Sequence, residues 1–258
     1  MPNPLVIYSL ILFKIPPMNL LTMMYTTQQI AQAFGKPVEL SLEQWNNYLD
    51  IAQMEIFKEF ADGYVAGNGA VVSARVDAAL SPFMGNSVYT SSSWSAYTSG
   101  GSAFGVPCLV FNVESGIYRV LSAYAVDTTE SYPDKLVKID IVTSNEAVER
   151  MNNSITYPTT DFPIMYLDKD GGATQFIATV MPTGFTKIML THLIYPPTPS
   201  LVITYSNDVP TQSGSSVDLY ITEPFKIDVI RTILKYIGLS VGNAQIQQFV
   251  ETQKINEK

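Results

Sequence analysis

The chain has 258 residues, of which 47% are hydrophobic and 15% are charged, and its formal net charge is −8. This composition is that of a globular protein and excludes a disordered one, and the acidic balance argues against nucleic-acid binding through a broad basic face. The single cysteine, Cys108, excludes an intrachain disulfide.

The chain begins with an apolar run from Leu5 to Phe13. It is too short to span a bilayer, which needs about 20 residues. No basic region precedes it, and Lys14-Ile-Pro-Pro17 follows where a signal peptide has a small-residue cleavage site. Three interpretations stay open: an arm that packs on a neighbouring subunit, an upstream extension of the reading frame, and a weak export signal. We favour an arm or an extension and assign it residues 1–25.

Residues 26–62 are predicted to be helical. A short first helix has Thr26 or Thr27 as its cap and Ile30, Ala33 and Phe34 as its inner face. A longer helix begins after Ser41, which forms a capping box with Gln44, and ends at Gly63. Its apolar residues recur at i, i+4, i+7, i+11 and i+15, which predicts a buried stripe: Trp45, Leu49, Ala52, Ile56 and Phe60.

Residues 63–105 are rich in glycine and serine and show no apolar pattern that would indicate a hydrophobic core of their own. A short helix between Val71 and Leu80 is one option within them. A long segment of this kind is typical of an interaction loop. Two interpretations stay open. The segment is either a long surface loop, or a loop that becomes ordered when it binds a partner through Trp94 and Tyr97.

Residues 106–221 are predicted to form a β module, because short β-branched and aromatic segments alternate with turn residues. Glu114-Ser-Gly116 is predicted to be a hairpin turn, and Thr143 is predicted to cap a short helix. The predicted strands are 108–113, 117–126, 135–142, 163–167, 175–180, 187–195 and 201–205.

Residues 222–258 are predicted to be a helix pair. The first helix has Thr222 or Glu223 at its cap, Pro224 in its first turn and Gly238 at its end. Its apolar stripe consists of Val229, Ile230, Ile233, Leu234 and Ile237. The second helix is capped by Asn243, and its apolar face is predicted to bind a partner: Ile246, Phe249 and Val250.

The order of helices, strands and helices predicts an α+β fold. In this fold the N- and C-terminal helices form one helical bundle, and a mostly antiparallel β module is inserted between them.

Few side chains are candidates for catalysis or metal binding. His192, the only histidine, lies in an alternating strand, and no Gly-x-Ser-x-Gly motif supplies a nucleophile. Cys108 lies in an apolar run and is interpreted as a core residue. The spacing of Asp168 and Asp170 matches the start of a calcium-binding loop. The third aspartate and the later glutamate of that motif are missing, which favours a turn. We therefore predict no enzymatic activity, no catalytic residue, no cofactor and no metal.

Three stretches in order resemble a known family. Residues 137–166 combine a strand, the helix start Thr143-Ser-Asn-Glu146 and the strand start Phe162-Pro-Ile164. Residues 219–230 follow, with Thr222-Glu-Pro224 in place of the usual Glu-Trp-Pro and Lys226 near the usual histidine, and residues 42–57 supply the opening helix. The pattern resembles the ring or head–tail connector proteins of crAss-like and related Bacteroidetes phages. The helix–β–helix order is also similar to the tubular tail adaptor proteins of short-tailed phages.

The resemblance implies a structural protein of the virion neck or tail. Copies of the chain would form a closed ring, a dodecamer by analogy with portal proteins, that contacts the portal or another ring. DNA would pass through the ring without sequence-specific binding, and no membrane is involved. Two alternatives stay open: a virion cargo protein delivered with the DNA, and a carbohydrate-binding tail module that uses Trp94 and Tyr97.

Overall fold

The computed structural model describes residues 18–34, 39–66, 74–97, 106–127, 135–169 and 176–240. The chain divides into two compact units: a first unit of Met1–Pro82 with Pro196–Lys258, and a second unit of Phe83–Tyr195. The described helices are α1 (Leu20–Ala33), α2 (Leu42–Ala66), α3 (Ala74–Leu80), α4 (Ser144–Met151) and α5 (Lys226–Ser240). The described strands are β1 (Met84–Thr90), β2 (Trp94–Tyr97), β3 (Cys108–Asn112), β4 (Ile117–Asp127), β5 (Lys135–Ile141), β6 (Ile164–Lys169), β7 (Phe176–Met181), β8 (Lys187–Ile194), β9 (Ile203–Ser206) and β10 (Val209–Gln212).

The second unit is built on one eight-stranded sheet with the order β1-β8-β4-β5-β6-β7-β3-β2. Six of its seven neighbouring strand pairs are antiparallel, whereas β5 and β6 pair in parallel at Asp140 with Ile164 and Ile141 with Met165. Parallel neighbours need a crossover connection, and α4 supplies it between β5 and β6. The sheet is therefore mixed.

The sheet is curled, because its two edge strands are neighbours in the chain. Only Ser91, Ser92 and Ser93 join β1 to β2, and the Ser93 amide donates to the Thr90 carbonyl at 2.7 Å. Three linking residues span at most about 14 Å, whereas the edges of a flat eight-stranded sheet lie roughly 34 Å apart. The sheet consequently closes toward a half-barrel.

The concave face of the sheet encloses the main core of the second unit. Alternate residues of each strand point to opposite faces, so Met165 joins this core whereas its neighbours Ile164 and Tyr166 lie on the convex face, in the cluster that includes Ala147 of α4. The core consists of Tyr89, Leu109, Phe111, Val113, Ile117, Val120, Ala123, Ala125, Ile139, Met165, Ala178, Val180, Phe185, Ile188 and Leu190.

The first unit is organised around α2 and α5. Both predicted apolar stripes are confirmed as buried faces, apart from the half-buried Phe60 at the end of the α2 stripe. The capping box is confirmed too: the Ser41 amide donates to Gln44 Oε1 at 3.1 Å and the Gln44 amide donates to Ser41 Oγ at 3.2 Å. α1 packs on α5, and α3 packs on α2.

Two amide side chains of α2 hold extended segments of the first unit. Gln53 is fully buried; its Nε2 donates to the Pro197 carbonyl and its Oε1 accepts from the Tyr220 amide, both at 2.8 Å. About two helical turns before Gln53, Asn46 holds Leu201 in the same way. Its Oδ1 accepts from the Leu201 amide at 2.8 Å, and its Nδ2 donates to the Leu201 carbonyl at 3.2 Å. These bonds replace strand pairing for backbone groups that would otherwise be unsatisfied.

The predicted α+β fold, a helical bundle with an inserted and mostly antiparallel β module, is wrong. The dominant element is the curled, eight-stranded mixed sheet. Two of its strands, β1 and β2, come from residues 63–105, which were predicted to be a Gly/Ser-rich loop. Serine and glycine are tolerated in them because these strands lie at the two edges of the sheet, where fewer neighbours select β-formers.

Several predicted boundaries also differ. α1 begins after Asn19, whose side chain accepts from the Thr22 amide, so residues 20–25 are helix and not arm, and the predicted caps Thr26 and Thr27 lie inside it. α2 continues through Gly63, and α5 continues through Gly238. The apolar run at 5–13 and the last predicted helix, capped by Asn243, lie outside the described residues.

Two turn and cap predictions change as well. Thr222 precedes a 3-10 helix (Glu223–Phe225) that contains Pro224, but its side chain makes no capping hydrogen bond. Glu114-Ser-Gly116 is a turn with Gly116 at φ 83°, yet β3 and β4 pair with other strands and not with each other. The turn therefore carries the chain across the sheet and forms no hairpin.

Candidate functional site

The segment between α4 and β6 exposes an unusual amount of apolar surface. In this apolar loop (residues 152–163), Ile155 is 91% exposed, Phe162 77% and Tyr157 42%. Asp161 is the only charged residue of the loop. Single exposed apolar residues are common on soluble proteins, but three large ones within eight positions indicate a contact surface.

The apolar loop has a defined conformation. Asn153 Oδ1 accepts from the Ile155 amide at 2.9 Å, which forms a local turn before Ile155. Thr159 and Phe162 exchange backbone hydrogen bonds of 3.4 and 3.1 Å, and Pro158 is buried beneath the loop. The exposed side chains are thus presented by a preorganised backbone, which lowers the entropic cost of binding.

Charge pairs fix the helix that leads into the apolar loop. Arg150, near the end of α4, contacts Asp140 of β5 at 2.6 Å and Glu146 at 2.7 Å. The hydrogen bond to Glu146 raises the pKa of Arg150 above its usual value, and Asp140 adds to this effect. At the other end of α4 the predicted cap is confirmed, because Thr143 Oγ1 accepts from the Glu146 amide at 3.2 Å.

A second exposed surface lies on the hairpin of β9 and β10 in the first unit. Asn207 and Asp208 form its tip with φ angles of 49° and 61°, which is the geometry of a type I′ turn. Tyr205 is 73% exposed. The root of the hairpin is fixed by Gln212, whose Oε1 accepts from the Leu21 amide at 3.4 Å and whose Nε2 donates to Asp218 at 3.0 Å.

The register of the hairpin divides its residues between two faces. Tyr205 pairs with Pro210 and Ile203 with Gln212, so these four side chains share one face, here called the hairpin face. Ser206 and its partner Val209 lie on the opposite face, beside the hydrogen-bonded pair of Thr204 and Thr211. The hairpin face is apolar toward the tip and anchored at the root.

The predicted anchor Trp94 is half-buried, in β2. Its ring lies 6.5 Å from the Phe111 ring, centroid to centroid, and packs against the sheet core. Tyr97 lies at the other end of β2, opposite Cys108. A cavity of about 340 Å³ beside β2 is lined by Ser92, Ser93, Trp94, Ser95, Val110, Phe111 and Asn112.

The other predicted partner-binding residues, Ile246, Phe249 and Val250, lie outside the described residues. The apolar loop and the hairpin face were not predicted as contact surfaces. The signal that could have found the loop is the placement of Ile155, Tyr157 and Phe162 among asparagine, serine, threonine and proline, which gives neither a helical nor a strand period.

A cluster of polar side chains lies at one border of the sheet core. Ser87 and Tyr89 point inward from β1; Ser87 Oγ donates to Glu114 Oε2 at 3.0 Å, and the Glu114 amide donates to Tyr89 Oη at 3.1 Å. Burial raises the pKa of Tyr89 above the usual value of a tyrosine. These bonds tie the edge strand β1 to the turn after β3.

His192 of β8 belongs to the same border and is only 3% exposed. Within the part of the chain that the structure describes, its Nδ1 makes no hydrogen bond of standard geometry, and a Cβ added to Gly85 on the facing strand would lie 2.5 Å from its Nε2. Burial lowers the pKa of His192 below 6.5, although the nearby Glu114 charge counteracts this. The serine donates to a carboxylate and not to the imidazole, so the cluster lacks the serine–histidine bond of a nucleophilic relay. The hydrogen bonds of the cluster join β1 to the turn after β3.

Comparisons with known proteins add no identification, since no family model matches the sequence and no curated protein matches it. Within the described ranges, no three histidine, cysteine, aspartate or glutamate side chains are grouped so that they could hold a metal ion. Cys108 is buried in the sheet. A search of the described helices finds none with the length and apolarity needed to cross a membrane.

Proposed function

We propose that this chain is a structural subunit of a phage virion that forms a ring in the neck or tail, joins the portal to the tail and surrounds the DNA channel. The proposal rests on the resemblance of residues 42–57, 137–166 and 219–230 to ring and connector proteins. In this role the chain needs no catalytic residue and no cofactor, and its partners are further copies of itself and the portal or another ring.

The observation that carries the proposal is the apolar loop. It lies within one of the three resembling stretches, and its Ile155 is 91% and its Phe162 77% exposed to solvent. Burying two such side chains against a partner contributes roughly 3–6 kcal/mol. An exposed apolar surface of this kind is typical of a binding site, and a ring subunit must bury part of its surface against its neighbours.

The charge of the chain is compatible with a DNA channel. With a net charge of −8, a lumen that carries part of the excess carboxylates would repel the phosphate backbone and let DNA slide. A ring structure with a lumen dominated by lysine and arginine would contradict this part of the proposal.

The test is the assembly state of the purified chain and of one variant. Phe162→Asp places a charge on an exposed side chain of the apolar loop and should reduce ring formation at least tenfold, because an interfacial charge without a partner is costly. Ser115→Asp adds the same charge at an exposed position in another loop of the second unit and serves as the matched control. Equal assembly of both variants would remove the apolar loop as support.

A second candidate function, carbohydrate binding, is favoured by one observation, the cavity beside β2. Three serines and Asn112 are among its lining residues together with Trp94, and its volume of about 340 Å³ suits one or two sugar rings. Glycan-array binding that is lost in Asn112→Ala would support this candidate. Absence of glycan binding together with ring formation would exclude it in favour of the connector.

A further inference from the structure

We propose that the apolar loop of one copy of this chain packs on the exposed part of the convex sheet face of a second copy. This inference rests on the proposed function and deepens it, because it names the two surfaces that would join neighbouring subunits of the ring. The occupant of the convex face is thereby the apolar loop of another copy.

The convex face of the sheet has a part that α4 covers and a part that exposes apolar side chains. α4 packs on β6 and shares a buried cluster with β3, β6 and β7. On β1, β8, β4 and β5, two rows of paired residues lie on the convex face, because the row between them belongs to the sheet core through Tyr89, Ile188 and Ala125. These two rows, here called the outer patch, are Val88, Met189, Tyr124 and Lys138, and Thr90, Lys187, Val126 and Leu136.

The composition of the outer patch is unusual for a solvated sheet face. An antiparallel sheet that faces water carries polar residues at its outward positions. Here Leu136 is 59% exposed, Val88 58% and Tyr124 37%. Met189 lies between Val88 and Tyr124 in the same row. These side chains come from four adjacent strands and form one surface, which is typical of a protein-binding site.

The charged residues of the outer patch are both basic. Lys138 lies opposite Tyr124 in one row, and Lys187 lies in the other row; both lysines are exposed. In a chain with 23 acidic and 15 basic residues, such a patch favours an acidic partner. A two-fold contact of the patch with itself would bring the lysines of two copies together and is therefore disfavoured.

The apolar loop has the complementary chemistry. Its only charged residue, Asp161, is exposed and directly precedes Phe162. Ile155 and Phe162 supply apolar side chains that are 91% and 77% exposed. A contact of the loop with the outer patch thus buries apolar side chains of both surfaces and places a carboxylate near two ammonium groups. Loop against loop would bring two carboxylates together, so each surface suits the other better than it suits itself.

This pairing also has the symmetry that a ring needs. A two-fold contact uses the same surface on both partners, whereas a head-to-tail contact that closes into a ring uses two different surfaces of each subunit. The apolar loop and the outer patch are two different surfaces of one chain, and both are exposed in it. A contact between them is therefore a contact between copies.

The test reverses the charges of each surface separately. The patch variant carries Lys138→Glu and Lys187→Glu, and the loop variant carries Asp161→Lys. Asp208→Lys reverses an exposed carboxylate at the hairpin tip and is the matched control. Circular dichroism checks that each protein is folded. Light scattering and negative-stain imaging then measure the protein concentration at which half of the chains are in rings, on the portal if the wild type needs it.

We expect the patch variant and the loop variant each to need about tenfold more protein than the wild type, because each brings like charges together. A chain with all three substitutions should recover most of this loss, since its patch and its loop again carry opposite charges. An equimolar mixture of the patch variant and the loop variant should recover it for the same reason. Asp208→Lys should assemble like the wild type.

Three results would overturn the inference. No recovery in the chain with all three substitutions, or wild-type assembly of the patch variant and the loop variant, would overturn it while the proposed function stands. A loss in Asp208→Lys as large as that in the loop variant would assign the outer patch to the hairpin instead. A wild type that forms no assembly, with or without the portal, contradicts the proposed function and the inference together.

A second measurement covers the case in which a charge-reversed chain does not fold. Phe162→Cys and Leu136→Cys chains are mixed and oxidised; the native Cys108 is 1% exposed and contributes little background. Cross-links between the two chains support the inference, and assembly without them overturns it.

Discussion

Replacing Gln53 by leucine should be among the most destabilising single changes in the first unit. The side chain is 0% exposed and bonds two backbone groups at 2.8 Å, the Pro197 carbonyl and the Tyr220 amide. Leucine fills a similar volume but bonds neither group. The extended segments that these groups belong to then lose their attachment to α2.

The magnitude follows from those two bonds. Each buried backbone group left without a partner costs about 1–3 kcal/mol, and the extra apolar surface of leucine offsets part of this, so we expect a net loss of about 2–4 kcal/mol. Such a loss is a large fraction of the total stability of a typical domain, about 5–15 kcal/mol.

The assay is urea unfolding followed by circular dichroism, with two comparison variants on α2. Asn47→Leu changes an exposed amide on the same helix and should stay within about 0.5 kcal/mol of the wild type. Asn46→Leu removes the half-buried hydrogen bonds to Leu201, and its loss of stability should lie between those of Asn47→Leu and Gln53→Leu. A loss for Gln53→Leu no larger than that for Asn47→Leu would refute the reasoning.

Three further predictions concern other parts of the chain. Because burial lowers the pKa of His192 below 6.5, the folded state resists protonation, and the free energy of unfolding should fall as the pH drops below 6.5. His192→Gln should lack this pH-dependent loss of stability. A difference in free energy of unfolding between wild type and variant that stays constant from pH 7.5 to 5 would contradict the lowered pKa of His192. Ile233→Asp puts a charge on a side chain that is 0% exposed, and we expect no folded protein by circular dichroism; a soluble, cooperatively unfolding variant would refute the placement of that face. Asp208→Gly relieves a φ of 61° at the hairpin tip and should raise the free energy of unfolding by about 0.5 kcal/mol, whereas a loss of stability would argue against the type I′ turn.

The sequence predicted the elements whose apolar residues recur with the period of their own secondary structure. The stripes of α2 and α5 and the capping residues Ser41 and Thr143 were found in the sequence because helix contacts lie three or four residues apart. The strands from β3 to β8 were also located within one or two residues. Their order in the sheet was not predicted, since strand pairing joins residues far apart in the chain.

The errors have identifiable physical causes. Glycine costs only about 1 kcal/mol inside a helix, so a single glycine does not have to end one, and α2 continues through Gly63 and α5 through Gly238. β1 has little β-branched content, and it is held by its antiparallel pairing with β8 and by Ser87 and Tyr89 bonding to Glu114, contacts that no local pattern encodes. The apolar loop was overlooked because the sequence signal, three large apolar residues without a helical or strand period, does not show by itself that their side chains are exposed.

The central claim is that copies of this chain assemble into a ring, and the most direct test is the mass of the purified protein by light scattering, followed by negative-stain imaging with and without the portal. We expect rings, either in solution or on the portal. A monodisperse 28.5 kDa species that ignores the portal would contradict the claim and favour a delivered cargo protein or a carbohydrate-binding module.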